Sequence, residues 1–269
     1  MKEKDLDYLK QIIKEELGIQ TKVIQLSSDI YNSILLDIPN REKKKSTGCT
    51  IIEGSVKANV EGQTVLFSYV LRNFFSKETI NTIGVDALTE GYSVFLDLKT
   101  ILANINMVAI SGQIYKKEAM YTIQHEVEHL YQEIRTKKRI PSNDMLYAKM
   151  RNDMEGADEE RHKIARLVYA CIQFEQEGFI NGTYAWYMAD DMAAPPGNFE
   201  HILDSPAGKL YEEAYIVFKE AKNNSNMQNI LKEYGHNLTT VENALNKFLK
   251  RLGKVIVKVQ NDKKKVWRK

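Results

Sequence analysis

The spacing of apolar residues divides this chain into two stretches of different character. Residues 4–17 set Leu6, Leu9, Ile12, Ile13 and Leu17 at intervals that fall on one face of a helix, with Gly18 behind them as a cap. An amphipathic helix is predicted there. Residues 21–26 (TKVIQL) predict a strand, and residues 40–48 (NREKKKSTG) an exposed polar loop. The runs CTIIEGSVKANV and QTVLFSYVLRNF flank Glu61-Gly62 and predict a long β-hairpin. Residues 92–98 (YSVFLDL) predict a further strand.

From about residue 116 the period becomes helical. Met120, Ile123, Val127, Leu130, Tyr131 and Ile134 form an apolar stripe, which Pro141 and Asn143 interrupt. A second long helix is predicted over 145–177, burying Ile164, Leu167, Val168, Cys171 and Ile172. Pro195-Pro196-Gly197 marks a loop, helices follow near 206–222 and 239–252, and 254–259 (KVIVKV) reads as a late strand. No internal repeat or low-complexity linker is visible. The pattern predicts an α+β fold in two lobes. Residues 1–138 form an N-terminal twisted-sheet lobe that carries the first long helix, and residues 139–269 form a mainly helical C-terminal lobe.

Composition narrows the classes of function. The 269 residues are 43% hydrophobic and 28% charged, enough apolar material for a sizeable core. A net charge of +2 exerts no general pull toward nucleic acid or membrane. The basic tail Lys263-Lys264-Lys265-Val266-Trp267-Arg268-Lys269 is the local exception; it is expected to be a solvated terminus rather than a nucleic-acid contact. No run approaches the roughly 18 apolar residues of a membrane span, and the first residues lack a signal-peptide core, so a cytoplasmic chain is expected. The two cysteines, Cys49 and Cys171, have no partner pattern, which argues against a disulfide scaffold or a cysteine-based zinc site.

The chemistry concentrates in QHEVEHL, residues 124–130. Side chains four apart share a helix face, so His125 and His129 can aim their ring nitrogens at one ion about 2 Å away. Glu126, about 100° round the helix, is then placed to take a proton from a water polarised by that ion. Catalytic zinc usually has three protein ligands and an open position. The downstream acids Asp153, Glu155, Asp158, Glu159 and Glu160 are candidates for the third. If the first helix runs roughly nine residues past His129, about 13 Å, and an antiparallel helix returns from about residue 145, then Glu155 reaches the height of the histidines. Glu159, one turn further, is the alternative ligand, and Glu159 or Asp158 can instead hydrogen-bond a ligating histidine.

HEVEH followed by a helical glutamate resembles the gluzincin branch of the zincin metallopeptidases. The metzincin branch is excluded, because Arg135 stands where its third histidine belongs. The resemblance covers about residues 116–165 and includes the pair Glu155-Gly156, similar to the Glu-Gly of gluzincin aminopeptidases. It implies a zincin-like fold with one Zn2+ per chain bound by His125, His129 and Glu155, and Glu126 as general base. It further implies hydrolysis of a peptide or protein substrate. Twenty-five residues separate His129 from Glu155, more than in the best-known gluzincins, and the family's ExxxD pattern is only approximated by Glu155 and Glu159.

A tetrahedral oxyanion would need a donor beside the ion, for which Tyr184, Tyr187 and His201 are candidates, although aromatic clusters more often fill cores. YSVFLDL is a candidate edge strand for aligning an extended peptide. Two other readings compete. Glu126-x-x-His129 and Glu159-x-x-His162 are both E-x-x-H, the motif of ferritin-like di-iron bundles, though a chain that begins with sheet and the presence of His125 count against that class. A zincin-like scaffold used only for binding or structure is the non-enzymatic alternative.

Overall fold

A computed structural model describes residues 25–46, 48–60, 62–74, 94–97, 100–110, 113–114, 116–136, 145–156, 158–189 and 203–267. The helix predicted over 4–17, the Pro195-Pro196-Gly197 loop and the Pro141–Asn143 interruption lie outside these residues. The elements mix sheet and helix, as expected of an α+β chain. They fall into two compact units. One takes its described residues from 25–130 and 185–189, the other from 131–184 and 203–267.

In the first unit, residues 25–37 form helix α1, so the end of TKVIQL is helical rather than extended. Ser27, Ile30, Tyr31 and Ile34 are its buried side. After a 3-10 turn at Ile38–Asn40 come strands β1 (Lys43–Ser46), β2 (Cys49–Val60), β3 (Gln63–Phe74), β4 (Val94–Asp97), β5 (Thr100–Ile110) and β6 (Gln113–Ile114). Their order is β1-β2-β3-β5-β4, with β6 also paired to β5. The β2–β3 hairpin keeps its register from Cys49↔Phe74 to Val60↔Gln63. Gly62, at φ 83°, makes the turn, and its N–H donates to the Asn59 side chain at 2.9 Å. Both predicted hairpin strands are therefore borne out.

Lysines 43–45, expected in a loop, instead form edge strand β1. Their side chains are exposed, and a row of lysines on a sheet edge also discourages pairing with another chain. β3 and β5 run parallel and β4 lies beyond β5, at the end of the order.

One face of β2 and β3 is the core of this unit, built from Ile52, Val56, Val60, Val65, Phe67, Tyr69 and Leu71. Gly54 lies opposite Tyr69 and must lack a side chain. A Cβ there would stand 2.5 Å from the Tyr69 ring. That ring's hydroxyl donates to Asp37 at the end of α1 at 2.9 Å, and Asp37 also accepts from Arg41 at 2.8 Å. The Arg41 hydrogen bond holds the Asp37 carboxyl below the ordinary carboxylate range, whereas burial, reinforced by Asp37, pushes the Tyr69 phenol up to about 12. Helix α2 (Lys116–Thr136) carries the HEVEH motif. The buried Ser27 of α1 donates to Gln124 of α2 at 2.8 Å, one residue before His125. Sheet, α1 and motif helix are thus linked by hydrogen bonds.

The second unit contains the end of α2, then α3 (Met145–Gly156), α4 (Glu159–Cys171) and α5 (Gln173–Met188), whose last residues belong to the first unit. It also contains α6 (Pro206–Lys222), α7 (Ser225–Glu233) and α8 (Leu238–Trp267). The single helix expected over 145–177 is therefore three. Asp158 caps α4 by accepting from the Arg161 N–H at 3.0 Å, and Ile172 is extended between α4 and α5. KVIVKV is helical. Within α8, Val241, Leu245, Phe248, Leu252, Val255, Ile256 and Val259 are buried at helical spacing, and the β-branched run is one arc of that stripe. α8 packs against α4 and α6, and Tyr211 of α6 meets Phe248 edge-on with ring centroids 6.1 Å apart. Among the described residues no helix is long and apolar enough to cross a membrane.

Candidate metal centre

The apolar stripe of α2 is buried at Met120, Ile123, Val127, Leu130 and Tyr131, which sets the rotation of the helix. That rotation also turns His125 and His129 inward, and each is only 8% exposed. Their Nε2 atoms lie 2.9 Å apart and the rings meet edge to face at 86°. At this separation one ring can donate its Nε2 proton to the other, or two lone pairs can face one cation. Two nitrogens bound at about 2.05 Å to a tetrahedral ion lie about 3.3 Å apart, close to the distance observed. Glu126, next in the helix, is half-buried.

The acidic member comes from a different place than the sequence suggested. Glu175, in the first turn of α5, is 2% exposed. His125, His129 and Glu175 each offer a ligand atom within 4.8 Å of the others, and all three are buried. Gln132, one turn beyond His129, donates to the Phe174 carbonyl at 3.1 Å and to Glu177 at 2.9 Å, on either side of Glu175. The Glu175 carboxylate itself accepts from the Tyr147 hydroxyl at 2.7 Å and from the Tyr169 hydroxyl at 2.9 Å, one on each oxygen. Two imidazoles and one carboxylate form a donor set that suits zinc and leaves a position open. A cation would also offset the cost of burying the carboxylate charge.

No known protein family, curated protein or solved structure matches the chain.

The other sequence candidates are placed as follows. Glu155 is exposed near the end of α3, and Glu159 is 82% exposed and paired with Lys163 at 3.0 Å; neither belongs to the histidine group. Glu155 stands on the exposed side of α3, one residue before that helix ends at Gly156. Asp158 is used as the α4 cap. Asp153 accepts from Tyr234, and Glu160 accepts from Asn224 at 2.7 Å and from Asn226. His162, half-buried on α4, follows Glu159 in the second E-x-x-H, whose glutamate faces solvent.

The Tyr184 hydroxyl donates to Asp262 at 2.8 Å, and Lys258 sits 4.1 Å from its ring. Burial, then Asp262, raises this phenol far above its ordinary range, and its proton is committed to Asp262 rather than offered to an oxyanion. Tyr187 is buried against the Trp186 ring. His201 lies outside the described residues.

Sequence reasoning missed Glu175, Tyr147, Tyr169 and Gln132. Gly156 followed by Asp158 and two acids is a stop-and-start signal that would have split the long helix. With the helix split, the search for an acid would have reached Glu175.

Proposed function

We propose that this chain is a zincin-like metal-dependent hydrolase that cleaves peptide bonds, with His125, His129 and Glu175 holding one Zn2+. The observation that carries the reading is the buried group of two histidines and a glutamate, built around an H-E-x-x-H helix whose motif glutamate is Glu126. A bound zinc ion supplies Lewis acidity, which polarises a carbonyl and makes water a better acid near neutral pH. Glu126 takes the proton from water as its oxygen bonds to the peptide carbonyl carbon. It then delivers that proton to the departing amine as the C–N bond breaks. Glu175 adds negative charge and one donor atom, so two neutral imidazoles and a carboxylate leave a net positive centre.

The test is Glu126→Gln in the full chain, assayed for zinc content and for cleavage of a mixed peptide library. Zinc content should be unchanged while cleavage falls by about 10²- to 10⁴-fold, the usual worth of a general base. Cleavage at the original rate would overturn the assignment of Glu126.

A further inference from the structure

Three helices of the second unit converge on one buried carboxylate. Tyr147 comes from α3, Tyr169 from α4 and Glu175 from α5. Each tyrosine hydroxyl takes one oxygen of Glu175, at 2.7 and 2.9 Å. Both rings are themselves held against α5. Tyr147 packs on Phe174 with centroids 5.9 Å apart, and Tyr169 meets Phe179 edge-on at 5.6 Å.

The final torsion of a glutamate side chain is broad, so nothing intrinsic sets the plane of its carboxylate. Two donors from separate helices, one on each oxygen, fix that plane. Neutral phenols suit this task, because they leave the negative charge of the carboxylate available to a cation.

We propose that Tyr147 and Tyr169 are positioning residues that preset the Glu175 carboxylate as a metal ligand. The inference rests on the proposed His125–His129–Glu175 site and extends it to the residues that tune its affinity. Removing a hydroxyl leaves the ring and its packing intact, so the conservative change is Tyr to Phe.

The experiment titrates the metal-free full chain with Zn2+ alone against a chromophoric chelator. It also records the visible spectrum of the Co2+-loaded protein, for wild type, Tyr147→Phe, Tyr169→Phe, the double variant and Glu175→Ala. Each single Phe variant should bind Zn2+ about 10- to 100-fold more weakly, the range for residues that orient a metal ligand. The double variant should be weaker still, and the Co2+ bands should shift in position or intensity, which a merely structural role would not cause. Wild-type affinity and an unchanged Co2+ spectrum in folded Phe variants, with Glu175→Ala impaired, would overturn the role of the tyrosines alone. A wild-type chain that binds no Zn2+, or a Glu175→Ala variant that binds it as tightly as wild type, would overturn the site itself. Far-UV circular dichroism confirms folding, and if the double variant unfolds the single variants decide.

Discussion

Gln132 donates to the Phe174 carbonyl at 3.1 Å, and Gln132 stands one helical turn past His129 while Phe174 immediately precedes Glu175. One amide thus connects the helix of the histidines to the first turn of the helix that carries the acid. Gln132 is buried, and its nitrogen also reaches Glu177 at 2.9 Å. Gln132→Leu keeps most of the volume and removes the donor. It should destabilise the fold by about 1–2 kcal/mol, the cost of leaving partly buried acceptors without their partner. A fall in the urea midpoint at constant slope, together with weaker zinc binding, is the expected pair of results. An unchanged midpoint would show that the connection is dispensable.

Gly54 and Tyr69 make a prediction about the sheet. Gly54→Ala puts a methyl group 2.5 Å from a ring that is 1% exposed and tethered to Asp37. Neither strand can retreat without breaking the hairpin register, so the variant should lose about 1–3 kcal/mol of stability, as overpacked cores do. Denaturant unfolding followed by tryptophan fluorescence measures it. No loss of stability would mean that the ring has another place to go.

Acid stability should depend on Glu233. Hydrogen bonds from Arg161 at 2.8 Å and Lys149 at 2.7 Å lower its carboxyl from 4.5 to about 2 in the folded chain. A carboxylate depressed on folding contributes its full stabilisation above the unfolded value and loses it as pH falls through the folded one. The window is therefore from about pH 4.5 down to about 2. Glu233→Gln should flatten the fall in stability with acid across that window and leave the slope above pH 6 unchanged. The effect is modest, because the side chain is 42% exposed and water and salt screen it. A variant whose stability falls as steeply as wild type's between pH 4.5 and 2 would remove Glu233 from the account.

These positions also show why parts of the fold were legible and others were not. The β2–β3 hairpin was readable because two β-rich runs flank a glycine, a local signal that burial reinforces. The α2 stripe was readable for the same reason, and with it the inward turn of His125 and His129. KVIVKV was not, because a short β-branched run is compatible with either period and only the preceding Val241, Leu245, Phe248 and Leu252 settle it as helix. Lysines 43–45 looked like loop because charge masks an edge strand whose pairing comes from β2. Glu175 was hidden most deeply. Its role depends on donors 28 and 6 residues away in Tyr147 and Tyr169, and no local period encodes such a convergence.

Glu175 and Glu155 are the competing acidic partners of the histidine pair. The most direct measurement is a zinc titration of the metal-free full chain, run side by side on wild type, Glu175→Ala and Glu155→Ala. One Zn2+ per wild-type chain is predicted, with affinity sharply reduced by Glu175→Ala and untouched by Glu155→Ala. A chain that takes up no zinc, or one that loses its zinc with Glu155 and keeps it without Glu175, would contradict the account.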